Sequence, residues 1–164
     1  MRILGIDPGF DRLGLAVVES EAGKTVVVWS TCVEPPRGAP QTRLAVVYDA
    51  VYDTIQKFEP EALSIETLFF STNKKTALMV AEARGAILAA AGSLHIPVFE
   101  HAPNQVKLAV AGNGSADKES VARMVSHLVT FKNEGELLRK KRDDEIDAIA
   151  IAITGSVVVP GLLR

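Results

Sequence analysis

Residues 3–18, ILGIDPGFDRLGLAVV, constrain this chain more than any other stretch. Two strand-length apolar runs, Ile3–Ile6 and Leu13–Val18, flank a Pro-Gly pair, and the first run ends on a carboxylate, Asp7. Short apolar runs bounded by turn residues read as buried strands. An ionised group at the lip of such a strand is costly unless something compensates it. The stretch therefore predicts a sheet core with a charge held at its edge.

The rest of the chain builds on that start. Thr25–Val33 is a third β-rich run, and Pro35-Pro36-Arg37-Gly38 closes it. Leu44, Val47, Val51 and Ile55 keep helical spacing over about Gln41–Phe58, and Pro60 ends that helix. Ala62–Ile65 is a short strand running straight into Glu66. An Ala-rich helix follows over roughly Lys74–Ala91, with Gly85 inside it and Gly92 as its stop. Ile96–Phe99 reads as a strand whose Pro97 suits an edge or a start. Short helices are predicted near Asn104–Val110 and over Lys118–Val129, the second capped by Ser115 or Asp117. Thr130–Arg142 reads as loop with a helical turn, and Asp144 to about Val158 as a helix. Strands first, then strands alternating with helices, predict an α/β fold: a mixed five-stranded sheet flanked by helices. No repeat or linker interrupts residues 1–164, so a single domain is expected.

Cys32 is the only cysteine, which excludes an intrachain disulfide and a cysteine-rich zinc site. No apolar stretch approaches the roughly 20 residues that span a bilayer, and the N-terminus lacks a signal-peptide layout, so no membrane association and a cytoplasmic location are expected. The net charge of −2 conceals an asymmetry: residues 1–71 carry 6 basic and 10 acidic side chains, residues 72–142 carry 11 and 6, and residues 143–164 carry 1 and 4. A basic middle between acidic flanks suits a polyanion partner and a metal site, although solvated helix faces produce the same composition.

Three acidic features share one layout. Asp7 and Glu66 end strands, and Asp144 and Asp147 open the last helix three residues apart, on one face. Singly, each has an ordinary role: Asp7 as a turn former, Glu66 as a solvated strand end, Asp144 and Asp147 as helix-start acids. Gathered together they are a liability, since two carboxylates about 6 Å apart repel by roughly 3 kcal/mol at an effective dielectric of 20. Hard divalent cations remove it, because Mg²⁺ prefers oxygen ligands and a pair of ions about 4 Å apart drives in-line displacement at phosphorus.

Seven segments, in this order and spacing, resemble the bacterial RuvC family of Holliday junction resolvases in the RNase H-like superfamily. They are ILGIDPG, RLGLAVV, SIETLFF, AEARGAILAAA, PVFEHAPNQVK, GNGSADK and DEIDAIAIAIT, and together they span nearly the whole chain. The resemblance implies an RNase H-like fold and a homodimer acting beside the RuvA–RuvB branch-migration complex. It implies binding of four-way junction DNA and two symmetric nicks that leave 5′-phosphate and 3′-hydroxyl ends. It carries the ligands of two Mg²⁺ (or Mn²⁺) ions per subunit onto Asp7, Glu66, Asp144 and Asp147. The family's two acids three apart select Asp144 over Asp143, which is kept as a neighbouring candidate. Phe69 takes the place of an aromatic that stacks on a base at the junction centre, a contact worth about 1–3 kcal/mol. Phe70 is assigned to packing. Lys107 and Lys118 align with lysines near the scissile DNA, and Lys118 also opens a helix, where backbone N–H groups favour an anion. Lys74 and Lys75 are expected on backbone phosphates, with Arg139–Arg142 a further basic run. Gly85 inside its helix suits close approach of another helix, in the core or equally at the dimer interface to which the resemblance assigns this region.

Three other readings compete. A nucleotide-binding fragment of the actin and sugar-kinase superfold needs two domains and a second phosphate loop. A YqgF-like relative would not be expected to carry GNGSADK. A non-catalytic junction-binding protein would be favoured by loss of an acid at position 7, 66 or 147, and all three are present.

Overall fold

The structure, a computed structural model, describes residues 1–21, 23–67, 74–132 and 141–162, without the side chains of residues 74, 75 and 160–162. Strands β1 (Arg2–Asp7), β2 (Leu13–Glu21) and β3 (Lys24–Val33) form an antiparallel meander. Helix α1 (Pro40–Phe58) leads to β4 (Ala62–Glu66), and α2 (Lys74–Ser93) leads to β5 (Val98–His101). Helices α3 (Pro103–Ala111) and α4 (Lys118–Leu128), strand β6 (Val129–Phe131) and α5 (Asp143–Leu162) complete the chain.

The sheet order is β5-β4-β1-β2-β3-β6. Strand β4 pairs parallel to β1, β5 parallel to β4, and β6 parallel to β3. The sheet is thus mixed, as expected, with one strand more than the pattern predicts. Val129, Thr130 and Phe131 pair with Thr25, Val26 and Val27, where the sequence reads as a helix end and a loop. Three residues are too few to display an alternation, so pairing with β3 rather than pattern creates this strand. Strand β5 begins two residues later than its apolar run, with Pro97 just outside it, and α2 runs through Gly92 to Ser93.

Side chains alternate across the sheet and split the core in two. Leu4, Ile6, Leu15, Val17, Leu63 and Ile65 pack on one face against Val47, Val51 and Ile55 of α1 and Ile87, Ala90 and Ala91 of α2. Ile3, Ala16, Val18 and Ala62 pack on the other against α3, α4 and α5. Ile3, Leu4 and Ile6 are fully buried, and each contributes roughly 1.5–3 kcal/mol by leaving water. That burial carries Asp7, the next residue, to the rim. Among the described residues no helix is long and apolar enough to cross a membrane.

Helix α5 packs across β1, β2, β3 and β4, and two strand glycines set how close it comes. A Cβ on Gly14 of β2 would stand 2.0 Å from the Asp144 carbonyl oxygen, and one on Gly5 of β1 would stand 2.2 Å from that of Ala148. Any larger residue at either position pushes the helix off the strands.

Candidate active site at the ends of β1 and β4

Asp7 and Glu66 follow the paired residues Ile6 and Ile65 on adjacent parallel strands, so both leave the sheet at the same edge. They continue the alternation of Gly5 and Ser64 and point to the α5 face. Because α5 rests on Gly5 and Gly14, its first turn arrives beside them. Asp7, Glu66 and Asp147 line one cleft of about 280 Å³ with Lys107 of α3 and Lys118 of α4, over an apolar floor of Val106, Val121 and Ile151.

The electrostatics show the strain of that gathering. Asp7 is pushed up to about 7, first by burial and then by the charges of Asp147, Glu66 and Asp144, with Lys118 opposing. Burial raises Glu66 as well, reinforced by Asp147 and countered by Lys107. Asp147 is raised by burial although its hydrogen bond from Lys118 acts the other way. The Lys118 Nζ lies 3.0 Å from Asp147 and 3.5 Å from Asp143. Burial works against the Lys118 charge, but those two carboxylates outweigh it and hold its pKa above the ordinary value. The lysine is the local counter-ion of the cluster.

The α4 N-terminus is capped from within the chain. Asp117 caps it, accepting a 2.7 Å hydrogen bond from the Ser120 N–H, and Lys118 follows the cap with its ammonium turned to the acids.

Asp144 and Asp143 part company with Asp147. The Asp144 carboxylate lies 3.7 Å from Arg12 Nε and 3.8 Å from Cys32 Sγ, on the β2–β3 side, and it is absent from the cleft lining. Its charge still reaches Asp7. Asp143 is three-quarters exposed and lies 3.5 Å from Lys118.

Ser30, Glu145 and Glu34 form a clamp that sequence reasoning does not anticipate. Glu145 accepts from Ser30 Oγ at 2.9 Å and pairs with Lys141 at 3.6 Å, and Arg142 pairs with Glu34. The clamp ties β3 to the first turn of α5, beside the acids. It also engages Lys141 and Arg142, the two described members of the basic run 139–142, in ion pairs within the protein. No pattern links residues separated by over a hundred positions, so only the fold exposes this contact. Beneath Glu66, His101 Nε2 meets Ser64 Oγ at 3.2 Å, and burial lowers the His101 pKa.

Phe69 and Phe70 lie outside the described residues, as do the side chains of Lys74 and Lys75 and residues 139 and 140.

Crowded, desolvated carboxylates beside a displaceable lysine have the donor chemistry of a hard-cation site. Among the described residues no three His, Cys, Asp or Glu side chains stand ready as a set that could hold an ion. Lys118 offsets the charge of Asp147, while burial and the neighbouring acids still hold Asp7 raised.

Comparison with known proteins agrees with this layout. The family model for crossover junction endodeoxyribonuclease RuvC matches residues 3–155. The crossover junction endodeoxyribonuclease RuvC of Moorella thermoacetica is 42% identical over 161 residues, covering 98% of this chain and 93% of the relative. The structure of T. thermophilus RuvC in complex with Holliday junction substrate superposes with a TM-score of 0.84 at 35% identity, covering 95% of this chain and 93% of that one. The yeast mitochondrial Holliday junction resolvase Ydc2 shares the fold alone, with a TM-score of 0.67 at 16% identity. A match of this extent, on a sheet that brings Asp7, Glu66 and Asp147 to one cleft, places the chain in the crossover junction endodeoxyribonuclease RuvC family.

Proposed function

We propose that this chain is a structure-selective endonuclease that resolves Holliday junctions in homologous recombination and DNA repair. It cuts by phosphodiester hydrolysis and leaves 5′-phosphate and 3′-hydroxyl ends. The observation that carries the reading is one cleft holding three half-buried acids and two lysines in a member of the RuvC family.

Asp7, Glu66 and Asp147 would hold divalent cations, Mg²⁺ or Mn²⁺, two per subunit, with Asp144 reaching them after a side-chain rotation away from Arg12 and Cys32. When bound, such cations supply Lewis acidity, making water a better nucleophile and stabilising charge at the scissile phosphate. The strand ends give the acids fixed directions, which loops would not. Lys118 pairs with Asp147 in the metal-free protein and, with cations on the acids, would be available to a phosphate oxygen. Lys107 lines the same cleft and opposes the rise of the Glu66 pKa, and it would be available to the DNA backbone there. Phe69 is the base-stacking residue of this reading, and Lys74 and Lys75 its contacts to backbone phosphates.

Symmetric nicking requires two such clefts, so the working form is a homodimer, partnered by the RuvA–RuvB complex in the cytoplasm. Residues 1–164 act as one nuclease domain.

The test is a nicking assay on a synthetic four-way junction and a matched linear duplex, with Mg²⁺, with Mn²⁺ and with chelator. Paired, metal-dependent nicks on the junction alone, abolished in Asp7→Asn, are the expected outcome. Tight junction binding without cleavage under either metal would overturn the catalytic reading in favour of a binding protein.

A further inference from the structure

Among the described residues Arg84 is the one buried side chain with a permanent charge, at 9% exposure. It lies in the AEARGAILAAA segment, where the reading above gives Arg84 itself no role. A desolvated guanidinium persists only where its donors are used. Arg84 projects from α2, and its Nη2 meets Glu100 Oε1 at 2.6 Å. Its Nη1 donates to the backbone oxygen of Glu66 at 3.0 Å. Glu100 sits opposite Ile65 in the β4–β5 register, so the guanidinium approaches β4 from the α1–α2 face. The Glu66 side chain leaves on the opposite face.

The bond to Glu66 falls on a particular peptide unit. Its oxygen accepts from Arg84, and its N–H, that of Thr67, donates to the His101 oxygen at 2.9 Å. The peptide that closes β4 is thus gripped on both sides, from a helix and from the neighbouring strand. Fixing that plane fixes the last soft dihedral of Glu66 and with it the direction of its Cα–Cβ bond. An ion pair serving stability alone would need only Glu100. The planar fork allows one side chain to hold both partners, which an ammonium does less well.

We infer that Arg84 is a positioning residue for the cation site: held by Glu100, its guanidinium locks the peptide after Glu66 so that the carboxylate faces the cleft. This rests on the proposed role of Glu66 as a cation ligand. The Arg84 charge itself stays on the far face of the sheet and touches neither DNA nor cation.

The experiment is calorimetric titration of Mn²⁺ into DNA-free wild type, Arg84→Met, Arg84→Lys, Glu100→Gln and Glu66→Gln, with folding checked by circular dichroism. Loss of an orienting contact to a ligand typically weakens metal binding about 10-fold or more, and that is expected for Arg84→Met. Arg84→Lys should show a smaller loss. Glu100→Gln, which removes the ion pair but keeps the donor to Glu66, should stay within about 2-fold of wild type while melting lower. In nicking assays the metal concentration for half-maximal rate should rise in Arg84→Met by the same factor as the calorimetric constant. Junction binding in chelator should be unchanged. Wild-type affinity in folded Arg84→Lys and Arg84→Met, with Glu66→Gln impaired, would overturn the positioning role alone. An equal loss in Glu100→Gln would overturn it too, by reducing Arg84 to a structural ion pair. Unchanged affinity in Glu66→Gln would overturn the ligand reading and the inference with it.

Discussion

Asp7 is the residue at which folding and function oppose each other most directly. Its pKa of about 7 in the fold lies above the ordinary 3.8, so between those values the folded chain holds a proton that the unfolded chain has released. By linkage, stability from this group is present at low pH and is lost as pH rises through about 7. Glu66 and Asp147 are shifted in the same direction. In chelator, the wild type should therefore melt at progressively lower temperature from pH 5 to pH 8. Asp7→Asn should flatten that trend and melt above the wild type at pH 8, by roughly 2–4 kcal/mol or about 5–10 °C. Saturating Mn²⁺ should reverse the order, because the cation repays the wild-type carboxylates and finds fewer in the variant. Thermal melts across pH, with and without metal, check this. A variant less stable than wild type in chelator at pH 8 would show that Asp7 is compensated within the protein.

At the scale of elements, the site is made by how α5 lies on β1 and β2. Asp147 reaches the cleft because the helix backbone rests against Gly5 and Gly14 with no side chain between. In Gly14→Ala the new methyl would stand 2.0 Å from the Asp144 oxygen and 3.2 Å from the Asp7 Cβ. Overpacking of this kind costs typically about 1–3 kcal/mol, so the protein should still fold. A displacement of about 1 Å at the acids is expected to lower nicking about 100-fold. Melting curves beside nicking rates test this, and wild-type nicking by folded Gly14→Ala would show that the helix position is not critical. The elements were largely legible in the sequence, because β1, β2, β4 and α1 each carry an apolar run or period of their own. The Asp7–Glu66 meeting was legible too, since both follow buried strands directly. Strand β6, the Ser30–Glu145 clamp and the grip of Arg84 on Glu66 were not. Each depends on a partner from a distant segment, and periodicity reports only which face of an element is buried. The departure of Asp144 from Asp147 was equally hidden, for a three-residue spacing sets a shared helix face but not the rotamer that Arg12 and Cys32 select.

For the whole molecule, the outer face of α2 poses the remaining question. Leu78, Glu82, Gly85 and Ala89 recur at helical spacing and all are exposed, Leu78 by 62%. A Cβ built on Gly85 meets nothing within 4 Å, so no close approach among the described residues accounts for the glycine. Glycine in a helix interior costs about 1 kcal/mol relative to alanine, and nothing described in this chain repays it. A second subunit would, if its helix packed backbone to backbone along this stripe. The proposed dimer would then use the outer face of the helix that carries Arg84, the residue on which the Glu66 peptide rests. Gly85→Arg should separate the subunits, since its side chain extends into open space in the monomer and into the partner in the dimer. Sedimentation should show a folded monomer, and junction cleavage should lose its pairing, leaving single nicks that a ligase reseals. A Gly85→Arg protein that remains dimeric would place the two-fold axis elsewhere. A wild type that sediments as a monomer at the concentrations used for cleavage would remove the symmetry on which paired nicking depends.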